Sequence, residues 1–326
     1  MRSRQMIIYS EPKTASNLPV IDIGPSFTDD HAAREVVANE IKAACRDTGF
    51  FYISNHGVDQ SLIDGAFAEA NRFFDQSGSW KEKWKKQGFS NGYEPLETQR
   101  LDNESPGDIK ESFNFTMGNT PGTSGYKANI WPDDFPGFRE GLEAYKESVW
   151  QAGLQVSRLI SLSLGMPFDH FDETFAPQKS PLRILRYPPH PQETEFNQLG
   201  CGAHTDWGWI TLLSQDALGG LEVETASGEW VRVEPVPGTF VVNLGDIMLR
   251  WTNGQYHSSL HRVMNNQSGQ DRHSIVLFFN HAHDTPVECL TTCLTAGEAP
   301  MFPPCTAGEH STQRYNESRP QLGAAE

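Results

Sequence analysis

The stretch GAHTDWGWITLLSQD, residues 202–216, sets His204 and Asp206 two positions apart, just ahead of an apolar run that reads as a strand. Runs of the same texture surround it: LRILRY (182–187), LEVET (221–225), WVRVEP (230–235), TFVVNLG (239–245), HRVMN (261–265) and SIVLFF (274–279). Gly, Pro, Asn and Asp separate them. Many short strands at close spacing predict a sandwich, barrel or jelly roll in the second half of the chain.

The first half has a different period. LPVIDIG (18–24) and FFYIS (50–54) read as short strands. Helical spacing of Val37, Ile41, Ala44 and Cys45 predicts a helix ending at Gly49, and a second follows over 61–76 with Leu62, Phe67, Ala70 and Phe74 as its apolar side. The longest helical pattern runs from Pro136 to Gly165. Residues 77–131 lack regular pattern and are expected to be long loops. The helices are amphipathic and need a sheet to cover them, so a single domain over 1–326 is expected, with a disordered tail over 316–326. The class is mixed α and β: a β core with N-terminal helices packed around it.

The formal charge is 26 − 42 = −16, which argues against nucleic acid and anionic membrane as partners. A small anion would need a local basic group to catch it. Five cysteines, Cys45, Cys201, Cys289, Cys293 and Cys305, form no C-x-x-C and no even set, so free thiols are expected rather than disulfides or a cysteine zinc site. MRSRQMIIYSEPKTASN (1–17) lacks a signal-peptide pattern, and no run approaches the roughly 20 apolar residues of a membrane span; a cytoplasmic protein is expected. The sequence does not specify an oligomeric state.

Side chains at i and i+2 of an extended strand point to one side, so His204 and Asp206 can occupy neighbouring positions on one metal ion. A third ligand must come from elsewhere. In NGQYHSSLHRVMN (253–265) both His257 and His261 offer themselves, and His281 with His283 forms another i, i+2 pair. His31, His56, His170, His190, His273 and His310 read as surface or loop groups. Two histidines and one carboxylate leave open positions, as in non-haem iron(II) oxygenases, whereas a closed zinc site needs a fourth protein ligand.

Four ordered segments, LRILRYPPHPQ, GAHTDWGWITLLSQDALGGLEV, VVNLGDIMLRWTNGQYHSSLHRV and RHSIVLFFN, together resemble the isopenicillin N synthase-like branch of the iron(II)/2-oxoglutarate-dependent dioxygenases. LPVIDIG and CRDTGFFYISNHGV resemble the accessory region ahead of the core in that family, so the likeness runs from about residue 18 to 285. The resemblance implies a double-stranded β-helix, or jelly roll, with an accessory region over 18–130 and an iron-binding core over 180–285. It implies His204, Asp206 and His261 as metal ligands, since the family's distal histidine lies in H-R-V after N-G.

Arg272 and Ser274 stand at i, i+2 ahead of an apolar strand, where a guanidinium can pair with a carboxylate. The resemblance makes them the grip on 2-oxoglutarate, with Tyr187 in support. The plant-type pattern has asparagine where this chain has Leu185. Isopenicillin N synthase, which uses no 2-oxoglutarate, shares the Arg-Tyr-Pro and Arg-x-Ser patterns.

The implied reaction couples oxidative decarboxylation of 2-oxoglutarate by O2 at Fe(II), with ascorbate as an added reductant, to hydroxylation, desaturation or cyclisation of a small organic substrate in secondary or specialised metabolism. The alternatives are an oxidase of the same fold without 2-oxoglutarate and a non-catalytic or zinc-holding jelly roll. Trp207 and Trp209 follow the metal pair and are candidates for the pocket wall. Tyr93 in SNGYEPLETQ and Phe113 in KESFNF resemble the family's substrate-facing region. Residues 77–131 and GEHSTQRYN (308–316) are the candidate lids.

Overall fold

Short strands with two-residue periodicity present one face to each side of a sheet. The computed structural model of the chain describes residues 13–14, 18–88, 90–99, 106–118, 121, 127–190 and 198–317. In chain order the elements are β1 (Lys13–Thr14), β2 (Val20–Asp22), α1 (His31–Asp47), β3 (Phe50–Ser54), α2 (Gln60–Phe74), α3 (Gly78–Lys81), β4 (Tyr93–Glu94), β5 (Glu111–Phe115), α4 (Phe138–Ser163), β6 (Leu182–Tyr187), β7 (Cys201–His204), β8 (Ile210–Gln215), β9 (Leu221–Glu224), β10 (Trp230–Arg232), β11 (Phe240–Leu244), α5 (Asp246–Trp251), β12 (His261–Val263), β13 (Arg272–Phe279), β14 (Pro286–Val287), β15 (Cys305–Thr306) and α6 (Ala307–Glu317).

The strands form an eight-stranded sheet, β2-β3-β11-β8-β13-β6-β5-β4, facing a five-stranded sheet, β1-β10-β9-β12-β7. Apart from the parallel pairs β2–β3 and β1–β10, neighbours within them run antiparallel. The two sheets make the expected jelly roll. Leu185, Tyr187, Leu213 and Val241 of the larger sheet meet Leu221, Val223 and Val263 of the smaller in one apolar cluster. Alternate residues on the same strands, Ile184, Leu212, Val242, Ile275 and Leu277, face outward under α1, α2 and α4 in a second cluster.

The helices are set by local chemistry. Asp30 caps α1 by accepting from the Ala32 and Ala33 amides, and Asp59 caps α2 through Ser61. After α1, Gly49 adopts φ 68° and returns its amide to the Ala44 carbonyl, turning the chain into β3. Gly153 lets α4 approach the sheet: a Cβ there would lie 2.8 Å from Phe279 Cδ2.

Three expectations are corrected. The span 77–131 holds α3, β4 and β5, and β5 lies inside the large sheet between β6 and β4. Its sequence ESFNF hides this, because its polar residues are buried with partners: Glu111 meets Lys81 and Arg186, while Asn114 meets Arg183. Residues 308–316 belong to α6, and Asn316 and Glu317 close that helix; the rest of the tail expected from 316 lies outside the described residues. His56, His273 and His310 are buried rather than exposed. The five cysteines are free, three of them buried.

Gly153→Val should destabilise the fold. Helix propensity favours valine over glycine by only a few tenths of a kcal/mol, whereas overpacking costs about 1–3 kcal/mol. A lowered denaturation midpoint by calorimetry is expected; an unchanged or raised one would show that α4 does not rely on this close approach.

Candidate metal centre

β12 pairs with β7 so that His261 stands directly opposite His204, with their rings 4.3 Å apart. Asp206 completes the group: its Oδ1 lies 3.8 Å from His204 Nε2 and 3.9 Å from His261 Nε2. The three ligand-type atoms lie within 4.8 Å of one another. Only His204 and His261 belong to strands. Asp206 sits in the turn beyond β7, so the convergence comes from that turn and not from an extended i, i+2 pair. His257 and His283 lie outside the group.

Hydrogen bonds fix which atoms face inward. Nδ1 of His204 is 2.8 Å from the Gly202 carbonyl, and Nδ1 of His261 is 3.2 Å from the Ser259 carbonyl. A carbonyl can only accept, so each Nδ1 carries the hydrogen and each Nε2 presents a lone pair. Asp206 Oδ2 accepts from Thr211 Oγ1 at 2.5 Å and Asn243 Nδ2 at 2.7 Å, leaving Oδ1 for the centre. Burial pushes the His261 imidazolium down to about 4 and that of His204 downward as well. Burial opposes the charge on Asp206, but the two imidazoles, Asn243 and Thr211 hold its carboxyl below the usual range. At neutral pH the site offers two neutral imidazoles and one carboxylate, a donor set suited to a divalent transition metal with positions left open.

The turn is braced from behind. The Asp246 amide donates to the Asp206 carbonyl at 2.8 Å, and the Ile247 amide donates to that of Gly208. A Cβ on Gly245 would strike the Gly208 backbone, so glycine is needed where α5 meets the turn. From α6, Arg314 donates to Thr205 Oγ1 at 3.1 Å and lies 3.0 Å from Asp246 Oδ2. The stretch read as a lid is a helix pinned to the triad's own turn.

Arg272 is buried opposite Tyr187, its guanidinium 4.7 Å from that ring's centroid. Its Nε donates to the Gly219 carbonyl and Nη2 reaches Gln215 Oε1 at 3.4 Å, but Nη1 has no partner. Among the described residues no carboxylate pairs with it. Ser274, two residues on, is buried on the same face of β13 beside Tyr187. A buried guanidinium with an orphaned donor fits the carboxylate of a small acid.

The other candidates divide. Trp207 is half-buried in the turn after Asp206. Trp209 is fully buried against Phe171, Trp251 and His281, with Nε1 on Ser157 Oγ at 3.0 Å, so it is core. Tyr93 and Phe113 point outward to the helices: Tyr93 donates to Glu111 at 2.5 Å and Phe113 packs on Phe73 and Phe138. Their strand neighbours Glu94, Ser112 and Asn114 face the interior instead. Beside His204, Lys110 reaches Asp108 Oδ2 at 2.7 Å and Cys201 Sγ at 2.9 Å, while Asp108 Oδ1 accepts the Gly202 amide. The sequence hides this buried cluster because Asp108 and Lys110 sit in a stretch that reads as loop. A recess of about 1150 Å³ under α6 is lined by Lys179, His283, Asp284, Glu309 and Glu317 among others, and by no triad residue.

The 2OG-Fe(II) oxygenase superfamily matches residues 179–281, and the family described as non-haem dioxygenase in morphine synthesis N-terminal matches 18–134. A 2-oxoglutarate-Fe(II) type oxidoreductase, hxnY of Emericella nidulans, is 34% identical over 92% of this chain and 90% of its own. The crystal structure of a full-length Neurospora crassa protein in complex with alpha-KG and thymine superposes with TM-score 0.84 at 26% identity, covering 94% of this chain and 100% of that one. A 2OG-Fe(II) oxygenase family protein from Caulobacter crescentus gives 0.83 at 30% identity, with 94% and 100% coverage. The chain belongs to the 2OG-Fe(II) oxygenase superfamily. It is a 2-oxoglutarate-dependent dioxygenase, an oxidoreductase that works with Fe(II), 2-oxoglutarate and O2. The expectations of an enzyme and of these cofactors stand, and the non-catalytic alternative falls. Among the described residues no helix is long and apolar enough to cross a membrane.

His281 lies outside the site, stacked on Phe175 with Nδ1 2.7 Å from Thr174 Oγ1, and burial pushes it down to about 3. Between pH 6.5 and 3 the unfolded chain takes up a proton there that the folded chain refuses, so stability falls as pH drops through that window. His281→Phe should lessen the loss of stability between about pH 6.5 and 4, read by urea unfolding; parallel pH profiles for both proteins would count against it.

Proposed function

We propose that His204, Asp206 and His261 hold the Fe(II), and that Arg272, Ser274 and Tyr187 hold 2-oxoglutarate. The observation that carries this reading is the trio of donors, two Nε2 atoms and one Oδ1, each turned to a common point by a hydrogen bond on its other atom. Its counterpart is the buried guanidinium of Arg272 with a donor unspent. When bound, iron and 2-oxoglutarate supply the oxidation of a substrate C–H bond by O2, with release of succinate and carbon dioxide.

The chain's own residues supply placement. The Gly202 and Ser259 carbonyls keep both imidazoles in the tautomer that offers Nε2. Thr211 and Asn243 keep Asp206 charged and hold one of its oxygens aside. Tyr187 and the inter-sheet core close Arg272 from water, which strengthens its hold on an anion. The substrate is a small organic molecule, hydroxylated, desaturated or cyclised, and Trp207 borders its site. We place the work in specialised metabolism in the cytoplasm and read 1–326 as one domain, with 18–130 supporting the core over 180–285.

His204→Ala and Asp206→Ala should each weaken Fe(II) binding at least a hundredfold and abolish succinate release, while far-ultraviolet circular dichroism stays that of the parent. Anaerobic titration of Fe(II) with 2-oxoglutarate, followed by the visible charge-transfer band, reads this directly. A persisting band in either variant would remove that residue from the centre.

Arg272→Ala should raise the apparent KM for 2-oxoglutarate roughly 10- to 100-fold, the size of one lost charge-assisted bond of about 1.5–3 kcal/mol. Succinate formed against 2-oxoglutarate concentration, with ascorbate as reductant, checks it. An unchanged KM would assign the grip elsewhere.

A further inference from the structure

The interior of the large sheet carries a second arginine whose donors are not all engaged. Arg183 shares the inward face of β6 with Leu185 and Tyr187, and stands opposite Asn114 on β5 and Val276 on β13. Its Nε donates to Asn114 Oδ1 at 2.5 Å, and Nη1 lies 3.4 Å from Gln99 Oε1. The carboxylate of Glu94 is 3.7 Å from Nη2, beyond hydrogen-bonding distance.

Glu94 has no capacity to spare for Arg183. It already accepts from Lys86 Nζ, from Gln99 Nε2 at 2.6 Å, from Asn114 Nδ2 at 3.0 Å and from Ser112 Oγ at 3.2 Å. Three of the four converge on Oε2, the oxygen 3.7 Å from Arg183 Nη2, so that oxygen has no lone pair left for the guanidinium. Glu94 therefore acts as the post that orients Asn114 and Gln99, and they orient the guanidinium. Among the described residues no further acceptor meets the two Nη groups.

What borders Arg183 also matters. A quarter of its side chain, 25%, is accessible although it lies on an inner face, and its neighbours Val276 and Phe278 are half-buried rather than packed away. The guanidinium carbon is 5.7 Å from the Phe278 ring centroid. Phe278 in turn lies opposite Thr211, whose hydroxyl holds Asp206. An apolar wall thus leads from the cation to the triad. Arg272 is four residues from Val276 along β13, roughly 13 Å by strand rise, so the two arginines serve different ligands.

We propose that Arg183 anchors a carboxylate of the organic substrate, whose apolar body lies along Val276 and Phe278 toward the triad. This rests on the reading of the triad as the iron centre and names the substrate class: small organic acids with an apolar body. A carboxylate suits the planar guanidinium fork and brings one charge; a phosphate monoester would bring close to two against the nearby Asp206. Burial and the Arg183 charge both push the Lys127 ammonium down, so the two cations lie within electrostatic range of each other.

The test uses the full chain loaded with Fe(II) and 2-oxoglutarate under nitrogen. Benzoate, phenylacetate, 3-phenylpropionate and 4-phenylbutyrate are titrated in parallel with their primary amides, and the shift of the charge-transfer band gives Kd. At least one acid should bind roughly tenfold or more tightly than its amide; Arg183→Gln should erase that preference and Arg183→Lys should keep part of it. Amides binding as well as acids, no acid binding at all, or a preference surviving Arg183→Gln would each overturn the proposal. If the glutamine variant does not fold, the acid–amide ratio of the parent decides the charge requirement and Arg183→Lys locates it. A band that never forms, before any acid is added, would instead strike the iron reading.

Discussion

The register of β12 is the constraint on which the centre depends. This strand has three residues, and His261 faces His204 only if it sits where it does between β9 and β7. A slip of one residue would turn His261 to the opposite face of the sheet. Arg262, which points the other way, holds the register: it stands directly opposite Glu222, donates to it through Nε at 2.8 Å, and lies under the Trp230 ring with its guanidinium carbon 4.0 Å from the centroid. A buried ion pair of this kind adds little net stability, because desolvation offsets its attraction, but a slipped strand would leave both charges buried and unpaired. The pair acts as specificity for one alignment, and the placing of His261 opposite His204 benefits from it.

The other interior charges divide by whether they find a counter-charge. Lys81 and Arg186 are neutralised by Glu111 and Asp271, and Arg262 by Glu222. Lys146 Nζ has no hydrogen-bond partner among the described residues, and burial drives its ammonium down to about 7, so near neutral pH it lowers its cost by shedding the proton in part. An arginine has no such route, since its guanidinium stays charged in proteins. A buried guanidinium with an unspent donor and no carboxylate partner among the described residues, as in Arg272, carries a desolvation cost that its neighbours do not offset. Arg183 follows the same logic more mildly, because its free donors keep contact with open space.

How much of this is legible in the sequence depends on whether polarity points outward or inward. The helices α1, α2 and α4 show in the chain because their polar sides meet solvent, and the apolar strands β3, β6, β8, β11 and β13 show because apolar side chains dominate both faces. β4 and β5 do not show. Their inward residues Glu94, Ser112 and Asn114 form a hydrogen-bonded cluster, so a fully buried strand reads as a polar loop. Tyr93 and Phe113 stand out as aromatics, yet strand parity sends them to the helix core and leaves their polar neighbours in the interior. Likewise β7 is short and ends in a histidine, and α6 is a polar helix held by Arg314 to Asp246 and Thr205, contacts no local pattern reveals. The triad itself is legible from motif order; spacing alone leaves His257 and the 281/283 pair open.

The position of Asp206 outside any strand raises the question of how a loop residue can be held well enough to share a centre with two strand residues. The turn that carries it is bonded on three sides. Its backbone receives the amides that open α5, its small residues let Gly208 and Gly245 pack backbone against backbone, and Arg314 of α6 holds the hydroxyl of Thr205. On its inner side the carboxylate is fixed by Thr211 and Asn243, which are cross-strand neighbours on β8 and β11. A loop so tied inherits the rigidity of the sheet it leaves, while its backbone is free of the strand's alternation. That freedom lets Asp206 bring Oδ1 nearly equidistant from His204 Nε2 and His261 Nε2, at 3.8 and 3.9 Å.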